Sequence, residues 1–156
     1  MNKGLATQWQ GLLVWRNFAI IGMVSEGIFA VAGSIYLALD GKDKEAIKEF
    51  ATDVIGYDLS RTCDEIRPVY HHDETCQRSV PEAITAFLEG KDFEDVIRTT
   101  ISLGGDTDTL ACIAGSIAEA YYGIPDELVI ECRNRLPDDL LEVVDRFYEL
   151  ANHKKG

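Results

Sequence analysis

The chain has 156 residues, which is typical of one domain, and its 46% hydrophobic and 27% charged residues are ordinary for a globular protein. Its net charge of −12 argues against a nucleic-acid backbone as a ligand, because binding phosphates requires clustered Lys and Arg. The four cysteines form no Cys-x-x-Cys pair, which indicates neither a zinc site nor a disulfide framework. With no secretory leader of the usual form, we expect a cytoplasmic protein with reduced thiols.

An apolar run extends from Phe18 to Leu39 and follows the atypical segment 1–17. The run is long enough to span a bilayer. However, Glu26 near its centre is costly in lipid, and two glycines divide the run. We therefore predict a buried helix from about Glu26 to Leu39, with a membrane span as the alternative. Glu26 is expected to face the interior or the site, paired with a partner.

The middle of the chain has two further helical patterns. Apolar residues at helical spacing predict a helix over Lys44–Ile55, ended by Gly56. The segment 57–75 is polar and irregular, and we expect its adjacent histidines, His71 and His72, at the surface rather than on a metal. Next, Ser79 and Glu82 have the spacing of a capping box with Pro81 in the first turn, which predicts a helix to Leu88 closed by Gly90.

The last third of the chain continues the helical pattern. Asp92 can cap a helix over Phe93–Ser102, and a helix rich in small residues is predicted over Asp108–Tyr122, ended by Gly123. Pro125 and Pro137 each begin another helix, and the second helix has an apolar face made of Leu140, Leu141, Val144, Phe147 and Tyr148. No alternating strand pattern is convincing. We predict an all-α fold, a compact multi-helix bundle in a single domain over residues 1–156, with residues 152–156 as a frayed tail.

The most informative stretch is Gly104–Thr109, between two of these helices. Two glycines precede carboxylates at Asp106 and Asp108, and a hydroxyl follows at Thr109. These oxygen donors are the kind that Mg²⁺, Mn²⁺ or Ca²⁺ prefers, with no thiol or imidazole to favour zinc. The alternative is that Asp106 or Thr107 only caps a helix while the glycines end the previous one.

This stretch, followed by Ala114-Gly115 and residues 118–123, resembles the C-terminal metal motif of the ADP-ribosylglycohydrolase family. The segments Gly56–Arg61 and Cys76–Ala83 also resemble stretches of that family, and the spacing of the three agrees. The likeness covers roughly residues 26–148. It implies a truncated ADP-ribosylglycohydrolase-like fold in residues 18–151, corresponding to the C-terminal half of the family.

The resemblance also implies roles for individual residues. Asp106 and Asp108 would be catalytic and, with Thr109, would bind metal. The backbone of Gly104, Gly105 and Thr107 would pass near the substrate. The cofactor would be Mg²⁺ or Mn²⁺, as two ions if the site is complete.

The chain departs from the family in two places. Family members have a His-Asn-His-Pro-Glu-Gly-Ile type of sequence where this chain reads Met23–Ile28, so Glu-Gly-Ile is kept and the histidines are absent. The family's N-terminal Gly-Asp segment and Thr-Asp-Asp-Thr ligand motif are also missing.

Three functional interpretations remain open. The first is a hydrolase that cleaves the bond between ADP-ribose and a protein side chain or small group, with the missing ligands supplied by a second copy or a companion chain. The second is a non-catalytic module that binds ADP-ribose or a partner protein. The third is a membrane-anchored or scaffold module organised by residues 18–39. We expect the first, with an isolated monomer that is a weak enzyme and with neither nucleic acid nor a membrane as a partner.

Overall fold

The structure is a computed structural model that describes residues 19–71 and 75–153, with side chains from residues 26–71 and 75–150. These residues form eight α-helices and one π-helical segment, and they contain no strand, which confirms the all-α prediction. The helices are α1 (Ala19–Leu39), α2 (Lys44–Glu49), α3 (Cys63–Ile66), α4 (Cys76–Glu89), α5 (Phe93–Ser102), α6 (Thr107–Tyr122), α7 (Asp126–Arg133) and α8 (Asp138–His153), and the π-helix is Phe50–Ile55.

The chain divides into two units, residues 1–123 and 124–156. In the first unit, α4 is the most enclosed helix, since every residue from Ser79 to Phe87 is buried. Helices α1, α3, α5 and α6 pack against α4. The second unit contains α7 and α8, which an ion pair between Arg133 and Asp145 joins at 2.7 Å.

Helix α1 begins seven positions earlier than the predicted start at Glu26, and Gly27 does not interrupt it. A Cβ on Gly27 would lie 2.8 Å from Cβ of Cys76, so this glycine allows α1 and α4 to approach closely. The prediction of a buried helix holds for one face only, because Ile28, Tyr36 and Leu39 are exposed. None of the helices in residues 19–71 and 75–153 has the length and apolar character that crossing a bilayer requires.

The predicted helix over Lys44–Ile55 is present, but its second half is a π-helix, ended by Gly56 with φ 93°. Phe50 is the first π-helical residue. A Cβ on Gly33 would lie 2.3 Å from Cζ of the Phe50 ring, which is too close for any residue other than glycine. Phe50 therefore packs into the surface of α1 at that glycine. Helix α3 was not predicted, although Thr62 and Glu65 form a capping box at its start.

The capping box predicted at Ser79 and Glu82 is wrong. Helix α4 begins at Cys76 with Thr75 as its N-cap residue, which places Pro81 inside the helix. The Ser79 hydroxyl donates to the Thr75 carbonyl at 2.9 Å, four residues back, instead of capping a new helix. Glu82 is buried and bonds elsewhere.

The remaining helices agree with the sequence. Asp92 caps α5 by accepting from the amide of Asp95 at 2.8 Å, and α7 and α8 follow Pro125 and Pro137 directly. On the predicted apolar face of α8, Leu141 and Val144 are half-buried, whereas Leu140, Phe147 and Tyr148 are exposed. The predicted tail overlaps α8 at residues 152 and 153, and residues 154–156 lie outside the described residues.

Candidate metal-binding loop

The loop between α5 and α6 has the geometry that its two glycines permit. Gly104 and Gly105 have φ values of 80° and 67°, a left-handed backbone conformation that is unfavourable for residues with a Cβ atom. The chain then enters α6 at Thr107. The prediction of a glycine loop that leads into a helix N-terminus is confirmed.

Asp106 is the N-cap residue of α6. Its Oδ1 atom accepts from the Thr109 amide at a long 3.5 Å, and its carbonyl accepts from the Leu110 amide at 3.1 Å. This is the capping geometry that the sequence offered as an alternative to metal binding. The two roles are compatible, because a carboxylate at a helix N-terminus has further lone pairs.

The other two oxygen donors of the loop face solvent. Asp108 and Thr109 are exposed in the first turn of α6, Asp106 and Thr107 are half-buried, and Leu110 is buried. The loop therefore presents one half-buried and one exposed carboxylate next to an exposed hydroxyl. The start of a helix also favours negative charge.

Tyr70 and His71 lie directly against this loop, which the sequence did not indicate. A Cβ on Gly105 would stand 2.7 Å from Cε1 of the Tyr70 ring and 3.2 Å from the His71 carbonyl oxygen. Two features therefore favour glycine at position 105: the positive φ angle of its backbone and the close contact with Tyr70 and His71. His71 is exposed as predicted, whereas His72 lies outside the described residues.

A second group of titratable side chains joins α1, α4 and the segment after the π-helix. Burial, with the Cys76 side chain and the Glu26 carboxylate nearby, raises the pKa of Tyr57 to about 12. The Tyr57 hydroxyl is buried and has no hydrogen-bond partner in the described part of the chain. Glu26 is half-buried rather than fully buried, and none of the described residues forms an ion pair with it.

Comparison with known families shows which family the chain belongs to. The family profile described as ADP-ribosylglycohydrolase matches residues 22–156. The chain belongs to this family. The match includes the Gly104–Thr109 loop and both other segments on which the resemblance was based.

Individual relatives match with different coverage. An uncharacterized protein of Archaeoglobus fulgidus is 30% identical over 169 residues, which cover 94% of this chain and 55% of that protein. ADP-ribosylhydrolase ARH3 of Homo sapiens is 42% identical over 77 residues, or 40% of this chain and 21% of that protein, and the Danio rerio ARH3 is 38% identical over 87 residues, or 47% and 23%. The chain thus spans about half the length of the first relative and less of the others. No solved structure matches the chain.

Two of the family segments are held together by an ion pair. The guanidinium of Arg61, at the end of the first segment, donates a hydrogen bond to the Glu82 carboxylate in the second. Burial raises the pKa of Glu82 above its usual value, although the Arg61 charge opposes this shift. Because Glu82, the buried member of the pair, bonds Arg61, the contact packs the first segment against the second.

The loop has the type of oxygen donor that a hard cation prefers, but it has fewer donors than such a cation usually binds. Asp106, Asp108 and Thr109 offer carboxylate and hydroxyl oxygens, which Mg²⁺ and Mn²⁺ accept. Within residues 19–71 and 75–153, no three His, Cys, Asp or Glu side chains are grouped closely enough to hold a metal ion. The donors in the described part of the chain are therefore fewer than a hard cation usually binds.

Proposed function

We propose that this chain is an ADP-ribosylglycohydrolase-like hydrolase that cleaves the glycosidic bond between ADP-ribose and a protein side chain or a small group. The observation that carries the proposal is the left-handed Gly104-Gly105 turn, which leads into α6 with Asp106 as its N-cap residue and Asp108 in its first turn. Family membership over residues 22–156 and the name of the ARH3 relatives support the substrate class.

In this proposal the loop residues have separate tasks. Asp106, Asp108 and Thr109 would hold Mg²⁺ or Mn²⁺, as two ions when the site is complete. Bound ions supply Lewis-acid polarisation of ribose hydroxyls and orient an attacking water. The backbone of Gly104 and Gly105 would pass near the substrate. The Cβ position of Gly104 has no atom within 4 Å other than those of its chain neighbours and is open to a substrate, whereas Gly105 would hold the turn against Tyr70. Thr107, in the first turn of α6, would contact the substrate beside them.

We propose that a second copy or a companion chain supplies the ligands that the described residues lack. Two carboxylates and a hydroxyl seldom hold two divalent ions tightly, because each Mg²⁺ prefers about six oxygen ligands. Asp108 and Thr109 are exposed, so a partner can reach them.

The test is release of ADP-ribose from peptides modified on arginine or serine, measured by mass spectrometry with Mn²⁺ present. If a second copy completes the site, the rate should rise more steeply than the first power of the chain concentration. Asp108→Asn should abolish release, and the matched change Asp126→Asn, in the first turn of α7, should not. Release that persists unchanged in Asp108→Asn would contradict the proposed role of the loop.

A non-catalytic module that binds ADP-ribose or a partner protein is the second candidate. The incomplete donor set among the described residues favours it. ADP-ribose that binds in calorimetry, with no hydrolysis at any chain concentration or with any companion, would support this candidate over the hydrolase.

A further inference from the structure

A cleft of about 320 Å³ lies between α2, α4 and the loop that precedes α3. This volume is at the lower end of the range for small-molecule sites. It shares no residue with the Gly104–Thr109 loop. Its walls carry charges of both signs, and its apolar lining includes Leu59 and Leu88.

Two cations on this cleft have hydrogen-bonding capacity that the fold does not use. Lys48 is exposed on the α2 wall and pairs with no carboxylate in the described part of the chain. Arg61 bonds Glu82 through one terminal nitrogen, and its side chain is 48% exposed. The guanidinium has five N–H groups, so donors remain for a ligand.

Lys44 also lines the cleft, but it has a structural task. Its ammonium donates to the carbonyls of Leu88 at 2.9 Å and of Gly90, at the end of α4, and it lies 5.2 Å from the centre of the Phe87 ring. Burial lowers the pKa of Lys44. Of the three cations that line the cleft, Lys48 and Arg61 therefore have donors available for a ligand.

Two carboxylates also line the cleft. Glu89 accepts from the Cys63 amide through Oε1 at 2.9 Å and also hydrogen-bonds with the Cys63 thiol. A carboxylate has about four lone-pair sites, so Glu89 keeps acceptor capacity for a ligand. Glu45 is exposed in the first turn of α2. Carboxylates of this kind accept hydrogen bonds from sugar hydroxyls, as acidic residues do for ribose in dinucleotide sites.

We propose that this cleft binds a small sugar phosphate. Lys48 and Arg61 would hold the phosphate through charge-assisted hydrogen bonds. Glu45 and Glu89 would accept from the sugar hydroxyls, and the carbon skeleton would lie on Leu59 and Leu88. The net charge of −12 repels anions from most of the surface, so binding here requires these local cations.

The test is a calorimetric titration of the full chain with ribose 5-phosphate, with inorganic phosphate and ribose as separate probes. We expect ribose 5-phosphate to bind more tightly than either probe. Lys48→Gln should weaken its binding at least tenfold, because it removes a charged hydrogen-bond donor to the phosphate. The matched control Lys91→Gln changes an exposed lysine outside the cleft and should have no effect.

The sugar contacts have a separate test. Glu45→Ala should weaken binding of ribose 5-phosphate but not of inorganic phosphate. No binding, equal binding by wild type and Lys48→Gln, or equal binding of phosphate and sugar phosphate would overturn the proposal. Asp106→Asn should retain binding in the cleft, so failure of the proposed hydrolase activity and failure of this site are distinguishable.

Discussion

Arg61 and Glu82, which are 21 positions apart in the chain, form an ion pair between two of the family segments. Glu82 is 5% exposed, inside the enclosed helix α4, whereas Arg61 reaches it from the loop before α3. The pair fixes that loop on α4. The two family segments other than the Gly104–Thr109 loop therefore contribute to packing through this contact.

Removal of Arg61 should destabilise the fold. Arg61→Ala leaves the buried Glu82 carboxylate without its cation, which in buried pairs costs about 3–5 kcal/mol. Because Arg61 is half exposed, water can replace part of the interaction, and we expect a loss of about 2 kcal/mol in urea unfolding. Arg98→Ala, which breaks an exposed pair with Glu94 on α5, should cost less than about 1 kcal/mol. Equal losses in the two variants would contradict this assignment.

Glu82 should also give the stability a dependence on pH. Its folded pKa lies above the ordinary 4.5 because of burial, so protonation favours the folded state. The contribution of Glu82 to stability is complete below about pH 4.5 and is lost as the pH rises through the folded pKa. Glu82→Gln removes this loss, so its unfolding free energy relative to wild type should increase between about pH 4 and pH 7. A difference that stays constant over this range would show that Glu82 titrates normally.

The two loop glycines should respond differently to alanine. Both have positive φ, which costs an L-residue about 1–2 kcal/mol. A Cβ at Gly104 meets open space, whereas at Gly105 it meets the Tyr70 ring at 2.7 Å. Gly105→Ala should therefore lose about 1–3 kcal/mol more in urea unfolding than Gly104→Ala, the typical cost of overpacking. Equal losses would mean that Tyr70 does not pack on the loop.

The four cysteines should differ in reactivity with a thiol reagent. Cys112 and Cys132 are exposed and should react first, and Cys76, half-buried against Gly27, should react more slowly. Burial, with the nearby Glu89, raises the pKa of Cys63 to about 12, so it should react only on unfolding. The check is a timed reaction near pH 8 followed by peptide mass mapping. Early labelling of Cys63 would contradict its placement.

Local sequence signals predicted much of the fold. Asp92 and Gly56 act at the helix ends where their residue types indicate, and the glycine loop enters α6 as its pattern predicts. Ser79 misled because a serine with a glutamate three residues later also occurs inside a helix, where the hydroxyl bonds back to a carbonyl. Glu82 is buried inside α4, which is inconsistent with a capping role at a helix start, and this burial depends on contacts with distant segments that a local pattern does not show.

The candidate site was predictable only where its residues are adjacent in the chain. Asp106, Asp108 and Thr109 lie in one turn, so their proximity follows from spacing alone. The contact of Tyr70 with Gly105 and the closeness of Tyr57 to Glu26 depend on how separate segments pack. No periodicity or motif carries that information.

The most direct test of the account is a calorimetric Mn²⁺ titration of the chain, with its oligomeric state measured in the same buffer. The informative variant is Asp106→Asn, because asparagine retains the N-cap of α6 while it removes the charge, and Asp92→Asn is the matched control at the cap of α5. We predict Mn²⁺ binding that strengthens with self-association or with a companion chain, that Asp106→Asn abolishes and that Asp92→Asn retains. Equal Mn²⁺ affinity in wild type and Asp106→Asn would contradict the metal role of this loop.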